Sequence, residues 1–478
     1  MSQTQYIPTI GIECHVQLKT RTKLFSGANN DARDAKPNTM VSPICFGLPG
    51  TLPVLNREAV QLAIRAGLAL NAEIAENSYF ERKHYFYPDL PKGYQITQLA
   101  HPTIGAGSVT IHLEDGSDKV VRIHHAHIEE DAGKLTHPNG VDYSLVDLNR
   151  AGTPLIEIVS EPDMHSASEA KAYAQEIYLL MTYVDVTYGD LYHGNIRFDV
   201  NVSVAPIGAP LGTRTETKNL NSFKAVERAV DFEINRQVKL LDKNERVVQE
   251  TRGWNEDRQA TFSQRSKEDA HDYRYFPDAD IPPLKIERSE VEAVAKVMPK
   301  LPNQYRQEFT AMGLDGSVIT ALLGVKSNAE IVAEIYTIAG KETASRVAHW
   351  LSSVLGSAEG HTDISSIGTA RLVELSGMVD TAELSSTAAK DVLISMLSSP
   401  ESPRHIAEQK NLLQVSDENA IAAIVEKVLA DPANAKAIAD IKAGNDKVIG
   451  YLIGLIMKES KGKANPGLAQ KLIRKRIS

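Results

Sequence analysis

Between His124 and Asp163 the chain reads HHAHIEEDAGKLTHPNGVDYSLVDLNRAGTPLIEIVSEPD. Carboxylates (Glu129, Glu130, Asp131, Asp147, Glu157, Glu161) and imidazoles (His124, His125, His127, His137) sit between short β-type runs, with Lys134 and Arg150 beside them. They crowd against glycines and apolar residues, where burial is expected. Buried charges are costly unless they are paired or bind a metal, so the stretch points to a metal and phosphate site.

Other strand-like runs carry related groups. From Ile10 to Lys19, the residues Ile10, Ile12, Cys14, Val16 and Leu18 alternate with Gly11, Glu13, His15, Gln17 and Lys19. That period of two is a half-buried antiparallel strand. Glu13 and His15 then point together from its polar face, about 7 Å apart in Cα, as metal ligands or acid/base groups. Taken alone, this strand is better read as a solvated sheet face. From Ile196 to Val204, apolar residues alternate with Arg197, Asp199, Asn201 and Ser203, and from Thr213 to Lys218, threonines alternate with Arg214, Glu216 and Lys218. Three such strands beside the His- and Glu-rich centre argue for a sheet whose polar face cradles a charged ligand and metal. The fold class expected is α+β with an antiparallel sheet, because a doubly wound parallel sheet would bury both faces of its strands.

Helical spacing predicts helices from Arg57 to Ala75, from Ser166 to Tyr183, and from Leu220 to Lys243 with a cap near Asn221 or Ser222. Residues Tyr79 to Gln98 mix Tyr85, Phe86, Tyr87 and Tyr94 with Arg82, Lys83 and Lys92. This mixture suits RNA or nucleotide contact and an ordinary packed turn equally. The proline-rich exit at Pro277, Pro282 and Pro283 reads as a boundary. Beyond about Ser289 strand signals vanish. The expected domains are 1–288 (catalytic cradle), 289–405 (helical) and 406–478 (helical tail, its last helical unit starting near Ser416). In that tail Val448, Leu452, Leu455 and Ile456 form an apolar stripe read as core. From Lys461 onward there are no acids, and Lys461, Lys463, Lys471 and Arg474 are candidates for RNA phosphates.

The 478 residues, 42% of them apolar, support two to four domains. No apolar run is long enough for a membrane span, and the N-terminus lacks the regions of a secretory signal. Two cysteines, Cys14 and Cys45, speak against a disulfide framework and for a reducing, cytoplasmic setting. Cys45 is expected as a small buried residue. The net charge of −9 confines any nucleic-acid contact to local basic patches. There is no GxxxxGK[ST], GxGxxG or GxSxG motif and no Cys–His nucleophile pair, so the common nucleotide folds and glutamine hydrolysis within this chain are not supported.

The segments GIECHVQLKTRTKLFS, YFYPDLPKGYQITQ, HIEEDAGK, DLNRAGTPLIEIVSEPD, GNIRFDVNVSV, KNLNSF, QETRGW and HDYRYFPD closely resemble the B subunit of the aspartyl/glutamyl-tRNA amidotransferases. GYLIGLIMKESKGKANPGLAQKL looks like that family's tail domain. The resemblance implies a glutamine synthetase-like catalytic core. It also implies a glutamine-dependent carbon–nitrogen ligase that uses ATP and Mg²⁺ to phosphorylate the side-chain carboxylate of Glu or Asp mischarged on tRNA(Gln) or tRNA(Asn). Ammonia from a partner amidase subunit (A), in a heterotrimer with a small subunit (C), then displaces the phosphate. Carried over residue by residue, the metal ligands are Glu13, His15 and Glu130, with either Glu157 or Glu216 completing the set. Lys83 and Lys92 stand where the ammonia path meets the kinase site, beside Glu130. Arg150, Arg197, Arg214 and Lys218 are unranked candidates for gripping ATP. The four histidines of the central stretch become packing or hydrogen-bonding groups. Some members carry a cysteine knuckle for zinc; this chain has Ser26 there and no such set. Phe198 stands where the family often has Cys.

Overall fold

The computed structural model describes residues 5–138, 140–266, 273–355, 364–414, 418–442, 445, 448–460 and 464–477. It divides into two compact units, 1–302 and 303–478. The first begins with β1 (Tyr6–Gln17), α1 (Arg57–Ala69), β2 (Asn77–Ser78), β3 (Glu81–His84), β4 (Tyr94–Thr97), β5 (Gly107–His112) and β6 (Asp118–Glu130). Then come β7 (Lys134–Thr136), β8 (Leu145–Asp147), β9 (Pro154–Ser160), α2 (Ala167–Tyr183), β10 (Ile196–Pro206), β11 (Thr215–Leu220) and α3 (Phe223–Asp242). The unit closes with β12 (Glu250–Asn255), β13 (Ala260–Ser266), β14 (Phe276–Pro277), β15 (Leu284–Lys285) and α4 (Arg288–Lys296).

Eight strands form one sheet in the order β13-β12-β11-β10-β1-β9-β6-β5. The α+β reading holds: the described pairings in it are antiparallel except β11 with β12. That pair is parallel because α3 carries the chain over the sheet between its two strands, and parallel neighbours need such a crossover. Ile10, Ile12, Cys14 and Val16 of β1, with Phe198, Val200 and Val202 of β10, face α2 and α3 and share one core with Tyr173, Ile177, Met181, Val226 and Val230. Burying that side leaves the alternate residues on the other face, and those carry the charges. Smaller sheets, β14-β3-β4 and β7-β8, stand beside the large one.

The helix starts agree with their caps. Ser166 accepts from the Glu169 amide at 3.1 Å and Ser222 from the Ala225 amide at 3.1 Å. The first helix is shorter than its periodicity suggested. It ends at Ala69 because Asn71 takes a left-handed backbone (φ 49°) and turns the chain away. Past the proline-rich exit, Val291, Val294 and Met298 still pack against the first unit's core.

The second unit is helical: α5 (Pro302–Ala311), α6 (Gly316–Leu323), α7 (Lys326–Leu355), α8 (Thr369–Asp380), α9 (Ser386–Met396), α10 (Pro403–Gln409), α11 (Glu418–Ala430), α12 (Ala435–Lys442), α13 (Ile449–Glu459) and α14 (Pro466–Ile477). Leu452 and Ile456 are buried and Leu455 packs on the same cluster, together with Ile421, Val425 and Ile473, so these three residues of the stripe are core, while Val448 is half-buried and outside the cluster. Ser416 lies outside the described residues. No described helix is long and apolar enough to cross a membrane.

Candidate active site

The site is built on five adjacent strands, β11-β10-β1-β9-β6. Register puts Glu13 of β1 opposite Asp199 of β10 and Val159 of β9, and His15 opposite Arg197 and Glu157. On the far side of β9, His127 stands opposite Glu157 and Glu129 opposite Leu155. Side chains of one strand alternate between faces, so Glu13, His15, Glu157, Asp199, Arg197, His127 and Glu129 share the open face.

They gather into two groups whose ligating atoms lie within 4.8 Å of one another: His15 with Glu129 and Glu157, and Glu13 with Asp199 and Glu216. The first mixes an imidazole with two carboxylates. His15 Nε2 is 3.4 Å from Glu157, and His127 Nε2 is 3.5 Å from Glu129 and 3.6 Å from Glu157. Burial alone would lower His15, but the hydrogen bond and charge of Glu157 carry it up to about 9. Burial would raise Glu157; His127 and His15 instead hold it far below the carboxylate range. The second group is all oxygen. Burial, and then repulsion from Glu157 and Glu216, raises Glu13. Lys218 meets this excess charge by reaching Asp199 at 3.0 Å and Glu216 at 2.9 Å. Asn201 donates to Glu13 at 3.0 Å and Thr251 to Glu216 at 3.0 Å. Hard oxygen donors held by second hydrogen bonds suit Mg²⁺.

A cavity of about 740 Å³ lies over both groups. Lys83, Tyr85, Tyr273, Arg197, Arg214 and Lys218 also line it. Burial would lower Lys83, but Glu129 and the other anions facing it raise it, and its ammonium stands 5.1 Å over the Tyr273 ring. Carboxylates and cations lining one cavity can hold metal-bound polyphosphate and a second anionic reactant together.

Not every nominated residue joins this cavity. Glu130 has the opposite parity to Glu129 and is turned away from both groups. It forms a buried ion pair with Lys92 and accepts from the Ile96 amide at 2.9 Å. With Lys92, Lys23 and Cys45 it lines a small separate pocket. Arg150 is spent on the chain, donating to the Ala132 carbonyl at 3.0 Å and the Gly133 carbonyl at 2.7 Å. Asp131 lies 3.2 Å from Arg197 and 3.4 Å from Arg150. Cys45 is buried, 3.4 Å from Lys23 and 3.3 Å from the Ser42 hydroxyl. His125 stacks on His127 at 5.2 Å and is lowered to about 4 by burial and by His127 and His124. His137 hydrogen-bonds Ser144 at 2.7 Å. Lys461, Lys463 and part of the HDYRYFPD segment (His271, Asp272) lie outside the described residues; Lys471 and Arg474 are exposed on α14.

The sequence sets Glu129 and Asp199 among the charged groups of the cradle, but the ligand set implied by the resemblance includes neither. The signal was present: Ala126 and Ile128 mark the core parity of β6, which assigns Glu129 to the open face. Phe198 and Val200 do the same for Asp199.

Fold and site together define an enzyme class: a catalytic domain floored by a mostly antiparallel sheet, in a chain that ends in a helical region. Residues 8–292 match the family described as the GatB/GatE catalytic domain, and residues 330–477 the one described as the GatB domain. The chain belongs to the family of B subunits of the aspartyl/glutamyl-tRNA(Asn/Gln) amidotransferases. It is 45% identical over 473 residues to the B subunit of Thioalkalivibrio sulfidiphilus, covering 98% of each chain. It is 44% identical over 484 residues to that of Alcanivorax borkumensis, again 98% of each. Against that of Caldanaerobacter subterraneus it is 44% identical over 483 residues, 99% of this chain and 100% of the relative.

Proposed function

We propose that this chain is the kinase and transamidase subunit of a tRNA-dependent amidotransferase. It works in the cytoplasm with an amidase subunit and a small third subunit, on Glu-tRNA(Gln), Asp-tRNA(Asn) or both. The observation that carries this reading is the pair of ligand groups on either side of β1, in one cavity with Lys83, Arg197, Arg214 and Lys218. The side-chain carboxylate of the aminoacyl group attacks the γ-phosphorus of ATP, and ADP leaves. Ammonia then attacks the acyl phosphate carbon, a proton is lost and inorganic phosphate departs, leaving the amide.

Glu13, Asp199 and Glu216, and His15, Glu129 and Glu157, would hold Mg²⁺, which would neutralise phosphate oxygens. Arg197, Arg214 and Lys218 add positive charge in the same cavity, and Lys83, which also lines it, would take the aminoacyl carboxylate. Phosphoryl transfer asks little covalent work of a protein beyond such placement. Glu130 with Lys92, in the adjoining small pocket, stands on the side from which ammonia arrives. A dry passage there would keep ammonia neutral and the acyl phosphate unhydrolysed. The sheet unit thus takes the role of a glutamine synthetase-like cradle, assigned to 1–288, with a helical domain at 289–405 and a tRNA-binding tail at 406–478.

The test supplies the purified chain and its amidase partner with labelled ATP, glutamine and Glu-tRNA(Gln). ADP release that depends on the mischarged tRNA is the expected result. Turnover on free glutamate would instead favour a ligase of free amino acids and sink the reading.

A further inference from the structure

The half-buried cations of the large cavity are held in two ways. Arg197 reaches Asp131 at 3.2 Å, and Lys218 reaches Asp199 at 3.0 Å and Glu216 at 2.9 Å. Much of their charge is spent on the protein. Among the described residues Lys83 forms no such pair; its ammonium instead stands 5.1 Å from the centre of the Tyr273 ring and 6.0 Å from that of Tyr85. Both distances fall within the range of a cation–π contact. The two rings meet edge to face at 6.2 Å, so they form two walls of one seat. A ring face attracts an ammonium through its quadrupole and leaves the net charge in place.

The seat is assembled from chain segments far apart in sequence. Arg82 and His84 flank Lys83 on β3, with side chains on the strand's other face, and both grip residues 273–280. Arg82 pairs with Asp278 at 2.7 Å and with Asp280 at 2.7 Å. The His84 amide donates to the Tyr273 carbonyl at 2.8 Å, and the His84 ring stacks on Phe276 at 4.8 Å. Between these anchors Arg274 takes a left-handed backbone (φ 42°), a bend that persists in a non-glycine residue only where the surroundings hold it.

Granting the function proposed above, in which Lys83 takes the aminoacyl carboxylate, we infer that Tyr273, seconded by Tyr85, is a positioning residue for that reaction. The rings fix the Lys83 ammonium in the cavity with its charge unspent, open to an anionic reactant. A carboxylate in their place would neutralise it, as Glu130 does Lys92. Residues 273–280 are the arm that carries the Tyr273 ring to the lysine.

The test makes two measurements on the wild type, Tyr273→Leu, Tyr273→Phe and Tyr85→Leu. The first is the rate at which acetic anhydride acetylates Lys83 in the full chain without Mg²⁺, read by peptide mass spectrometry against the other lysines. The second is KM for Glu-tRNA(Gln) and KM for ATP with Mg²⁺, in ADP release with the amidase partner. Tyr273→Leu keeps bulk and loses the ring, so more of the amine is neutral and open to reagent. Acetylation of Lys83 alone should quicken by about threefold or more, and KM for Glu-tRNA(Gln) should rise about tenfold, the scale of a desolvated cation–π contact. KM for ATP should stay within about twofold. Tyr85→Leu, at the longer distance, should follow in the same direction by less. Tyr273→Phe keeps the ring and should restore the wild-type values. Equal impairment in Tyr273→Phe and Tyr273→Leu gives the role to the hydroxyl and overturns the seat. So does Lys83 acetylation that stays unchanged in both leucine variants, or that rises together with many other lysines. Expected acetylation with KM values that move together, or not at all, overturns the positioning role. Wild-type turnover on free glutamate removes the proposed function itself, while the acetylation rates, which need no substrate, still decide the seat.

Discussion

Glu129 and Glu130 are chain neighbours in separate surroundings, and the tasks proposed for them can be separated by experiment. Glu129 shares the open face with His127 and lies within ligand distance of His15 and Glu157. Glu130 is 3% exposed on the other side, locked to Lys92. Glu129→Gln is expected to raise the Mg²⁺ concentration for half-maximal ADP release by about tenfold, the scale of a lost ligand or supporting group. Glu130→Gln leaves that concentration unchanged but strands the buried Lys92 ammonium, at about 3–5 kcal/mol of stability. A Mg²⁺ titration and a urea melt of each variant decide the matter, and equal Mg²⁺ shifts would defeat the assignment. His15 adds a pH dependence. Its folded pKa, about 9, lies above its ordinary 6.5. The metal-free protein therefore holds this contribution to stability in full below about pH 6.5 and loses it as pH rises toward 9. Metal affinity should rise over the same window as the competing proton leaves, and His15→Asn should flatten both trends in melts with and without Mg²⁺. Much of this was legible in alternation alone, which set Glu13, His15, Arg197, Glu216 and Lys218 on one face. The choice between the adjacent glutamates needed the parity of β6, and the resemblance drew attention to Glu130 instead.

Behind the site, α3 holds β11 in place through one buried carboxylate. Glu233 is 0% exposed. It accepts from Thr215 at 2.9 Å and pairs with Arg236 at 2.8 Å and Arg252 at 3.0 Å. Gln237 adds bonds to the Thr215 hydroxyl at 2.9 Å and the Val202 carbonyl at 3.0 Å. The strand they fix presents Glu216 and Lys218 on its opposite face. Glu233→Gln removes the anion paired with Arg236 and leaves Arg252 only Glu250, and a loss of about 3–5 kcal/mol is expected in a urea melt. A loss under about 1 kcal/mol would mean that water or a neighbour compensates. The sequence placed Thr215 and Thr217 on a neutral strand face. Nothing in its periodicity could tell that a helical carboxylate would cover them, because that contact depends on the parallel return of β12 after α3. Strand spacing reports which face a residue takes, not what a crossover brings against it.

At the scale of the whole molecule, charge is divided between the units. The chain carries a net −9 and the acidic floor belongs to the first unit, whereas α14 ends in Arg474, Lys475 and Arg476. A polyanion such as tRNA is repelled by the average molecule and must be captured by such a local patch. The composition beyond Lys461 showed this patch without any structure. The division after Pro302 was not legible, because α4 shares the helical character of the second unit while packing on the first. If the tail meets RNA phosphates, Lys471→Ala combined with Arg474→Ala should weaken tRNA binding. Each lost phosphate contact should also lower the slope of log affinity against log salt by about 1. If ATP binds in the first unit as proposed, its affinity should stay within twofold. Filter binding at several salt concentrations beside ATP dialysis gives both readouts. An unchanged salt slope with weakened binding would mean that the two cations support the helical core of the tail, not the phosphates. A fall in ATP affinity would mean that the acidic site depends on the tail's charge.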